Sequence, residues 1–252
     1  MRVTKPLYAP LIALITLATA SLVVPHQSSA QADGEKLSDE PVLLELFTSQ
    51  GCSSCPPADR LAQKLDREGE LIVISRPVDY WDRLGWKDTF ANPANTSLQR
   101  TYAQRGLAGY NGVYTPQTVV DGLLGEVGSN EDKIRRFAAE AARAKRAAIR
   151  ILKTKGGNFG VGLGGTTKQR AELMLIGVSR SETVAIGRGE NGGRQITYTN
   201  VLVGEKRIAT WNGGKASHPI DRSALNIRGA DRYALVLREQ GGGRVLSARW
   251  ID

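Results

Sequence analysis

Apolar and polar positions divide the chain into two halves with different periods. From residue 41 to about residue 148, continuous apolar runs typical of buried strands alternate with runs that have the period of a helix. The runs 41–47 and 71–75 predict two buried strands, and the helix face between them carries Ala58, Leu61, Ala62 and Leu65. Strand, helix and strand in this order predict a parallel crossover, which brings the carboxyl ends of both strands to one edge of a sheet.

A proline directly before a β-branched run marks the next predicted strand. Proline lacks the N–H that a sheet ladder needs, so we predict that Thr115-Pro116 is a cis peptide bond that opens a strand. Asp121-Gly122 is a hairpin turn signal, and it leads into a further strand at 123–127. The mixed polar segment at about 82–110 predicts a helical insertion ahead of this hairpin.

From residue 149 onward, short alternating runs lie between glycine-rich turns. About six or seven such runs predict strands, which is typical of a β-sandwich. The pattern therefore predicts an α/β domain at 41–148, with a central mixed sheet and flanking helices, followed by an all-β sandwich-like domain at 149–252.

The first thirty residues have the pattern of a secretory signal peptide. Arg2 and Lys5 give a positive start, an apolar run extends from Leu11 to Val24, and small residues end at Ala30. The apolar run is shorter than the roughly 20 residues that a spanning helix needs. We therefore predict a signal peptide at 1–30, a linker at 31–40, and a periplasmic or secreted protein without a membrane span after cleavage.

Composition and charge narrow the function classes. The chain has 252 residues, of which 41% are hydrophobic and 23% are charged, as in globular proteins. Its net charge of +9 favours anionic partners. Because the protein is expected to be exported, a nucleic-acid partner is not predicted despite this charge.

The chain has two cysteines, in the motif Cys52-Ser53-Ser54-Cys55. As a structural cross-link, this disulfide would close a very short loop and stabilise the fold little. A zinc site needs four Cys or His ligands, and the chain after the signal peptide has only His218, so no metal is predicted. A copper(I) site formed by the two thiolates stays open.

Redox chemistry is the third interpretation of this pair. At a helix N-terminus, backbone N–H groups and the helix dipole stabilise one thiolate, which attacks a partner disulfide. We predict that Cys52 is the exposed nucleophile and that Cys55 resolves the mixed disulfide. The disulfide would itself be the redox group, so no other cofactor is predicted.

Five segments carry a family resemblance: 46–59 around the cysteines, Val-Asp-Tyr-Trp-Asp at 78–82, Leu-Gly-Trp-Lys-Asp at 84–88, Val-Tyr-Thr-Pro-Gln at 113–117 and Tyr-Thr-Asn-Val at 198–201. They resemble the family named domain of unknown function 1223, whose members are secreted bacterial proteins. The order of elements in 41–148 also resembles the thioredoxin fold. That resemblance implies that Pro116 stands opposite the dithiol and that Thr115 offers its backbone to a bound peptide.

Three further residues are candidates at the site. Tyr80 and Trp81 follow the second strand on the dithiol side, where they either wall a substrate groove or pack under a loop. Members of the family often have a histidine where this chain has Pro77, so the proton chemistry needs another group. Glu45 is the candidate: buried, it would have a raised pKa and take a proton from Cys55. Alternatively, strand alternation turns Glu45 towards solvent or into a salt bridge.

The sequence therefore predicts an exported thiol–disulfide oxidoreductase whose partners are exported proteins with thiols or disulfides. The alternative is a binding protein: a non-catalytic thioredoxin-like adaptor, or a copper(I) carrier that uses the same cysteine pair.

Overall fold

The bounds of the regular elements come from a computed structural model, which describes residues 1–3, 40–144, 147–153 and 158–251. The predicted signal peptide and most of the predicted linker lie outside the described residues. The helices are α1 (Pro56–Glu68), α2 (Pro93–Arg105) and α3 (Glu131–Arg143). The strands are β1 (Val42–Thr48), β2 (Leu71–Pro77), β3 (Ala108–Gly109), β4 (Gln117–Val120), β5 (Leu124–Val127), β6 (Ala147–Lys153), β7 (Phe159–Gly165), β8 (Ala171–Ala185), β9 (Gln195–Trp211), β10 (Ala216–Ile220), β11 (Arg232–Glu239) and β12 (Val245–Ile251).

Strands from both halves of the chain form one mixed sheet. Its order is β12-β11-β8-β9-β2-β1-β4-β5-β3, with β1 parallel to β2 and antiparallel to β4. The halves join where β2 pairs with β9, at Ser75 and Val201. This pairing covers the edge that β2 would otherwise expose. The boundary predicted at 148/149 therefore does not separate two sheets, and Lys36–Asp252 group as one compact unit.

A second, three-stranded sheet packs on the outer end of the large one. Its order is β10-β7-β6. Ile149 and Val161 of this sheet share a buried cluster with Leu173 and Leu235 of the large sheet. The second half thus has two packed β-layers, but one of them is the continuation of the sheet that contains β1 and β2.

Helix α1 fixes the position of the cysteines. It starts with Pro56 and Pro57, which suit a first turn because its N–H groups have no intrahelical partner, and it ends at Gly69 in the left-handed conformation. Its buried face packs on Leu44 and Leu46 of β1. Because β1 and β2 are parallel, the β1–α1 turn and the segment after β2 lie at the same sheet edge.

Candidate functional site

Cys52 and Cys55 form a disulfide in the turn between β1 and α1. Their Cα atoms are 5.4 Å apart, and Cys55 is the N-cap residue of α1. Backbone hydrogen bonds of 3.1 Å, from Cys52 N to Ser49 O and from Cys55 N to Cys52 O, hold the turn. The sulfurs therefore lie at the N-terminal end of α1, where the helix dipole favours a negative charge.

Both cysteines are completely buried, with 0% relative exposure. The prediction that Cys52 is exposed is therefore wrong for the disulfide form. Ser53 and Ser54 are the exposed residues of the motif, and the Ser54 hydroxyl lies 3.3 Å from the Cys52 sulfur. The cysteines are covered because three other chain segments converge on this turn.

The first of these segments follows β2 and holds Gln50. The Gln50 N–H donates to Asp88 Oδ2 at 2.8 Å, and its side-chain oxygen accepts from Trp86 Nε1 at 2.9 Å. The Gln50 amide nitrogen donates to Thr89 Oγ1 at 2.8 Å. The Leu-Gly-Trp-Lys-Asp motif at 84–88 therefore fixes the start of the cysteine turn.

The second segment contains Thr115 and Pro116. The bond between them is cis and β4 begins at the next residue, both as the sequence predicted. The Ser54 hydroxyl donates to Thr115 O at 3.5 Å, and Trp81 Nε1 donates to Thr115 Oγ1 at 2.8 Å. The structure thus brings Thr115, Pro116 and Trp81 to the dithiol turn. Tyr80 is half-buried and packs beside Trp81 against an apolar cluster.

The third segment is the turn between β8 and β9. The Asn191 side chain, which is fully buried, donates to Gln50 O and to Cys52 O, both at 2.9 Å. Glu190 accepts a hydrogen bond of 3.0 Å from Ser53 N. Sequence reasoning missed both residues, because a polar pair within a glycine-rich turn carries no local signal of a partner some 140 positions away.

Glu45 occupies a different place from the one predicted. It is fully buried, with Arg76 and Arg238 each 2.7 Å from its Oε1 atom and the Tyr102 hydroxyl donating to Oε2 at 2.5 Å. Burial alone raises the pKa of Glu45, but the guanidinium groups of Arg238 and Arg76 outweigh it and lower the pKa to about 2. The predicted raised pKa is wrong, and Glu45 forms a salt bridge instead.

Strand alternation explains why Glu45 lies away from the cysteines. Successive side chains of a strand point to opposite faces of the sheet. Leu44 and Leu46 pack against α1, so Glu45 lies on the opposite face. It cannot serve as the proton acceptor for Cys55, because the cysteine belongs to the α1 side of β1.

Asp59 is the buried acid on the α1 side. Its N–H donates to Cys55 O at 3.0 Å, so the two residues are one helical turn apart. Its Oδ1 atom accepts from the Thr48 hydroxyl at 2.8 Å, whereas Oδ2 is buried without a hydrogen-bond partner among the residues with described positions. Burial raises the pKa of Asp59 to about 7, and the neighbouring Asp88 adds to this effect.

The position of Asp59 in the sequence already marks it as unusual. It stands three residues before Ala62 and therefore on the apolar face of α1, where an acid is unexpected. A cavity of about 240 Å³ also reaches it. The cavity is lined by Pro56, Asp59, Arg60, Gln63, Gln195, Ile196 and Thr197.

Two absences apply to the described part of the chain. No helix in it is both long and apolar enough to cross a membrane. It contains no cluster of three or more His, Cys, Asp or Glu side chains that could hold a metal ion.

Fold and site together define a mixed α/β protein with a buried disulfide at a helix N-terminus. Residues 43–238 match the family described as protein of unknown function, DUF1223, so the chain belongs to this family. No curated protein matches the sequence.

Several solved structures resemble the chain, among them these two. Protein AGR_C_4864 from Agrobacterium tumefaciens is 27% identical, with a TM-score of 0.70 over 83% of this chain and 93% of that one. HBP35 of Porphyromonas gingivalis is 13% identical, with a TM-score of 0.52 over 84% of this chain and 75% of that one. At this identity the second likeness concerns the fold alone.

Proposed function

We propose that this protein is an exported thiol–disulfide oxidoreductase, which exchanges its Cys52–Cys55 disulfide with exported protein partners. One observation carries the proposal: the disulfide lies at the N-terminus of α1, with the Thr115 carbonyl 3.5 Å from the Ser54 hydroxyl. A redox pair at a helix N-terminus has the chemistry that disulfide exchange needs. The Thr115 carbonyl beside it supplies the docking group, once a peptide N–H replaces its 3.5 Å contact with the exposed Ser54.

The topology around the disulfide supports a thioredoxin-like unit. The strands β2-β1-β4-β5 are neighbours in this order, with β1 and β2 parallel and β4 and β5 antiparallel. Helix α1 connects the parallel pair, and α3 follows the antiparallel pair. This arrangement supports the proposed thioredoxin-like unit, because in the thioredoxin fold the dithiol also precedes the first helix.

The proposed reaction balances as two thiol–disulfide exchanges. A thiolate of the partner attacks the Cys52 sulfur, the Cys52–Cys55 bond breaks, and Cys55 leaves as a thiolate that takes up a proton. A second partner thiolate then attacks the partner's sulfur in the mixed disulfide and expels Cys52. The partner dithiol loses two electrons and two protons, and the protein's disulfide gains both. In the reverse direction Cys52 attacks a partner disulfide and Cys55 resolves the intermediate.

Asp59 is the proposed proton carrier for Cys55. It lies one turn further along α1, and a pKa of about 7 gives it both protonation states near neutral pH. Its Oδ2 atom, which has no hydrogen-bond partner within the described part of the chain, is available to hold the proton. The cavity beside Pro56 gives this buried acid a route for proton exchange with solvent.

The surroundings of Thr115 favour a polypeptide as the partner. The chain exposes large apolar side chains at Leu84, Tyr110 and Val113, in the two segments that precede α2 and β4. In the proposed complex, the partner backbone pairs with Thr115, which Trp81 orients, beside Pro116. Exposed apolar side chains in these two segments suit an extended, partly unfolded partner.

Export is part of the proposal. The N-terminal sequence has the pattern of a cleaved signal peptide, and a disulfide persists in an oxidising compartment such as the periplasm. The proposed partners are therefore other exported proteins.

The complete burial of both cysteines favours the second candidate, a binding protein in which the disulfide stays closed. A dithiol peptide distinguishes the two. Folded, oxidised protein is mixed with a reduced peptide that carries two cysteines, and free thiols are then alkylated and counted by mass spectrometry. The oxidoreductase predicts two labels on the protein, at Cys52 and Cys55, and a disulfide in the peptide.

A matched pair of variants identifies which cysteine sulfur forms the mixed disulfide. Cys55→Ser, reacted with a peptide disulfide, should form a stable mixed disulfide through Cys52, whereas Cys52→Ser should not. If neither protein sulfur exchanges until denaturant unfolds the chain, the disulfide is closed in the native state and the binding role holds. Copper(I) binding at one ion per reduced wild-type chain, without exchange, would identify the carrier.

A further inference from the structure

The turn between β8 and β9 closes a hairpin and is held by backbone hydrogen bonds. Its residues 186–194 are here called the β8–β9 tip. Ile186 N donates to Arg194 O at 2.9 Å, and Gly193 N donates to Ile186 O at 2.7 Å. Gly189 and Gly193 have φ angles of 78° and 81°, which only glycine adopts readily. The tip therefore has a defined shape that presents Glu190 and Asn191 to the cysteine turn.

Asn191 is the uncharged residue through which the tip contacts the cysteine turn. Its amide nitrogen bonds to Gln50 O and Cys52 O, and its oxygen accepts from the Arg194 guanidinium at 2.9 Å. None of these three bonds involves a sulfur atom.

Glu190 is the charged residue through which the tip contacts the cysteine turn. Its carboxylate accepts from Ser53 N, in the turn that leads into the positive end of α1. The hydrogen bonds from the Ser53 hydroxyl and backbone lower the pKa of Glu190, so it is an anion near neutral pH. In the disulfide form Glu190 holds this position against neutral sulfurs. After reduction, a Cys52 thiolate is a second anion at the same helix end, and like charges oppose each other.

We propose that Glu190 is a positioning residue of the exchange reaction: it holds the β8–β9 tip over the disulfide, and its charge opposes the Cys52 thiolate. The inference rests on the proposed function, because it assigns a role in the reaction of the same dithiol. Coupling between two sites is reciprocal. Reduction of the disulfide therefore weakens the contact between Glu190 and Ser53 and releases the tip, which uncovers the site.

Other charged groups also surround the cysteine turn, and the test must leave them unchanged. They are Asp59 and Arg60 of α1, Asp82 and Asp88 before α2, and Arg188 and Arg194 of the tip. A single substitution of Glu190 keeps all of them in place.

The test compares Glu190→Gln with Glu70→Gln in a Cys55→Ser background, so that Cys52 is the one thiol. Glu70 is also exposed, but it directly precedes β2 and so lies at the opposite sheet edge. The rate of Cys52 alkylation by iodoacetamide is measured against pH. Glu190→Gln should lower the midpoint of this profile by about 0.5–1 pH unit, as removal of one nearby partly screened charge does. Glu70→Gln should leave it unchanged.

An unchanged or raised midpoint in Glu190→Gln overturns the electrostatic role. The covering role has its own readout, hydrogen–deuterium exchange of residues 186–194 in wild-type protein. Exchange should be faster in the reduced protein than in the oxidised one at the same pH, and equal rates overturn the release of the tip.

These outcomes are separable from the proposed function, because alkylation by iodoacetamide requires no protein partner. A shifted midpoint without oxidation of the dithiol peptide contradicts the oxidoreductase alone. Peptide oxidation with an unshifted midpoint contradicts the role of Glu190 alone.

Discussion

The Asn191 side chain donates a 2.9 Å hydrogen bond to the Cys52 carbonyl oxygen, although the two residues are 139 positions apart. This bond ties the last third of the chain to the cysteine turn. The turn between β8 and β9 therefore forms one side of the candidate site, so the C-terminal strands help to position it.

Replacing Asn191 by alanine should destabilise the oxidised protein by about 1–3 kcal/mol, because Gln50 O and Cys52 O both lose the Asn191 donor, although Cys52 O keeps its bond from Cys55 N. Urea unfolding measures the change. Asn226→Ala is the control: Asn226 is exposed, and its substitution should stay within about 0.5 kcal/mol. Equal unfolding free energies for the two variants would show that the Asn191 contact contributes nothing.

Replacing Glu45 by glutamine should destabilise the fold by about 3–5 kcal/mol, because it removes the buried carboxylate that the guanidinium groups of Arg76 and Arg238 share. Arg76 keeps its 3.0 Å ion pair with Glu205, whereas Arg238 loses its ion pair with Glu45. The matched control is Glu131→Gln. Glu131 also pairs with two cations, but at the surface, so its loss should cost much less than the loss of Glu45. Urea unfolding compares the two. In folded Glu45→Gln protein, the pH profile of disulfide exchange should match that of wild type; a displaced profile would restore Glu45 as the proton acceptor.

Asp59 should make stability depend on pH. Its pKa is raised from 3.8 to about 7, so the folded state favours the protonated acid. The stability that this group contributes is complete below its unfolded pKa and is lost as the pH rises through about 7, with a slope of at most about 1.4 kcal/mol per pH unit. Asp59→Asn should remove this slope, whereas the exposed Asp132→Asn should keep it. Urea unfolding at a series of pH values checks this, and a slope that survives in Asp59→Asn contradicts the assignment.

Trp81 should matter for polypeptide partners more than for small thiols. Trp81→Phe keeps an aromatic side chain but removes the indole N–H that donates to Thr115 Oγ1. Exchange with the dithiol peptide should slow by about two- to tenfold, the effect of one hydrogen bond of about 0.5–1.5 kcal/mol, while reduction by dithiothreitol stays unchanged. Trp250→Phe, on β12, is the control and should change neither rate. Equal slowing with peptide and dithiothreitol would mean that Trp81 only supports the turn.

Local patterns predicted the elements that local chemistry determines. The apolar runs at 41–47 and 71–75 correspond to β1 and β2, and Pro116 stands in a cis bond where the strand begins. Each of these signals lies within a few neighbouring residues, so a single sequence contains it.

Features that depend on distant pairing were not predictable in this way. The place of β9 beside β2 requires the partner strand, and the partners of Glu45 include Arg238, 193 positions away. The same limit hid Asn191 and the burial of Cys52. Strand alternation did contain part of the answer, because it set Glu45 on the face away from α1.

The central claim is that the Cys52–Cys55 disulfide exchanges while the protein stays folded, and a redox titration in glutathione buffers tests it most directly. Thiol labelling reports the fraction reduced, and near-ultraviolet circular dichroism reports the tertiary fold of the same samples. The account predicts a reversible two-electron transition during which the tertiary signal persists. Reduction that occurs only together with loss of the tertiary signal would contradict it and would make the disulfide a closed structural bond.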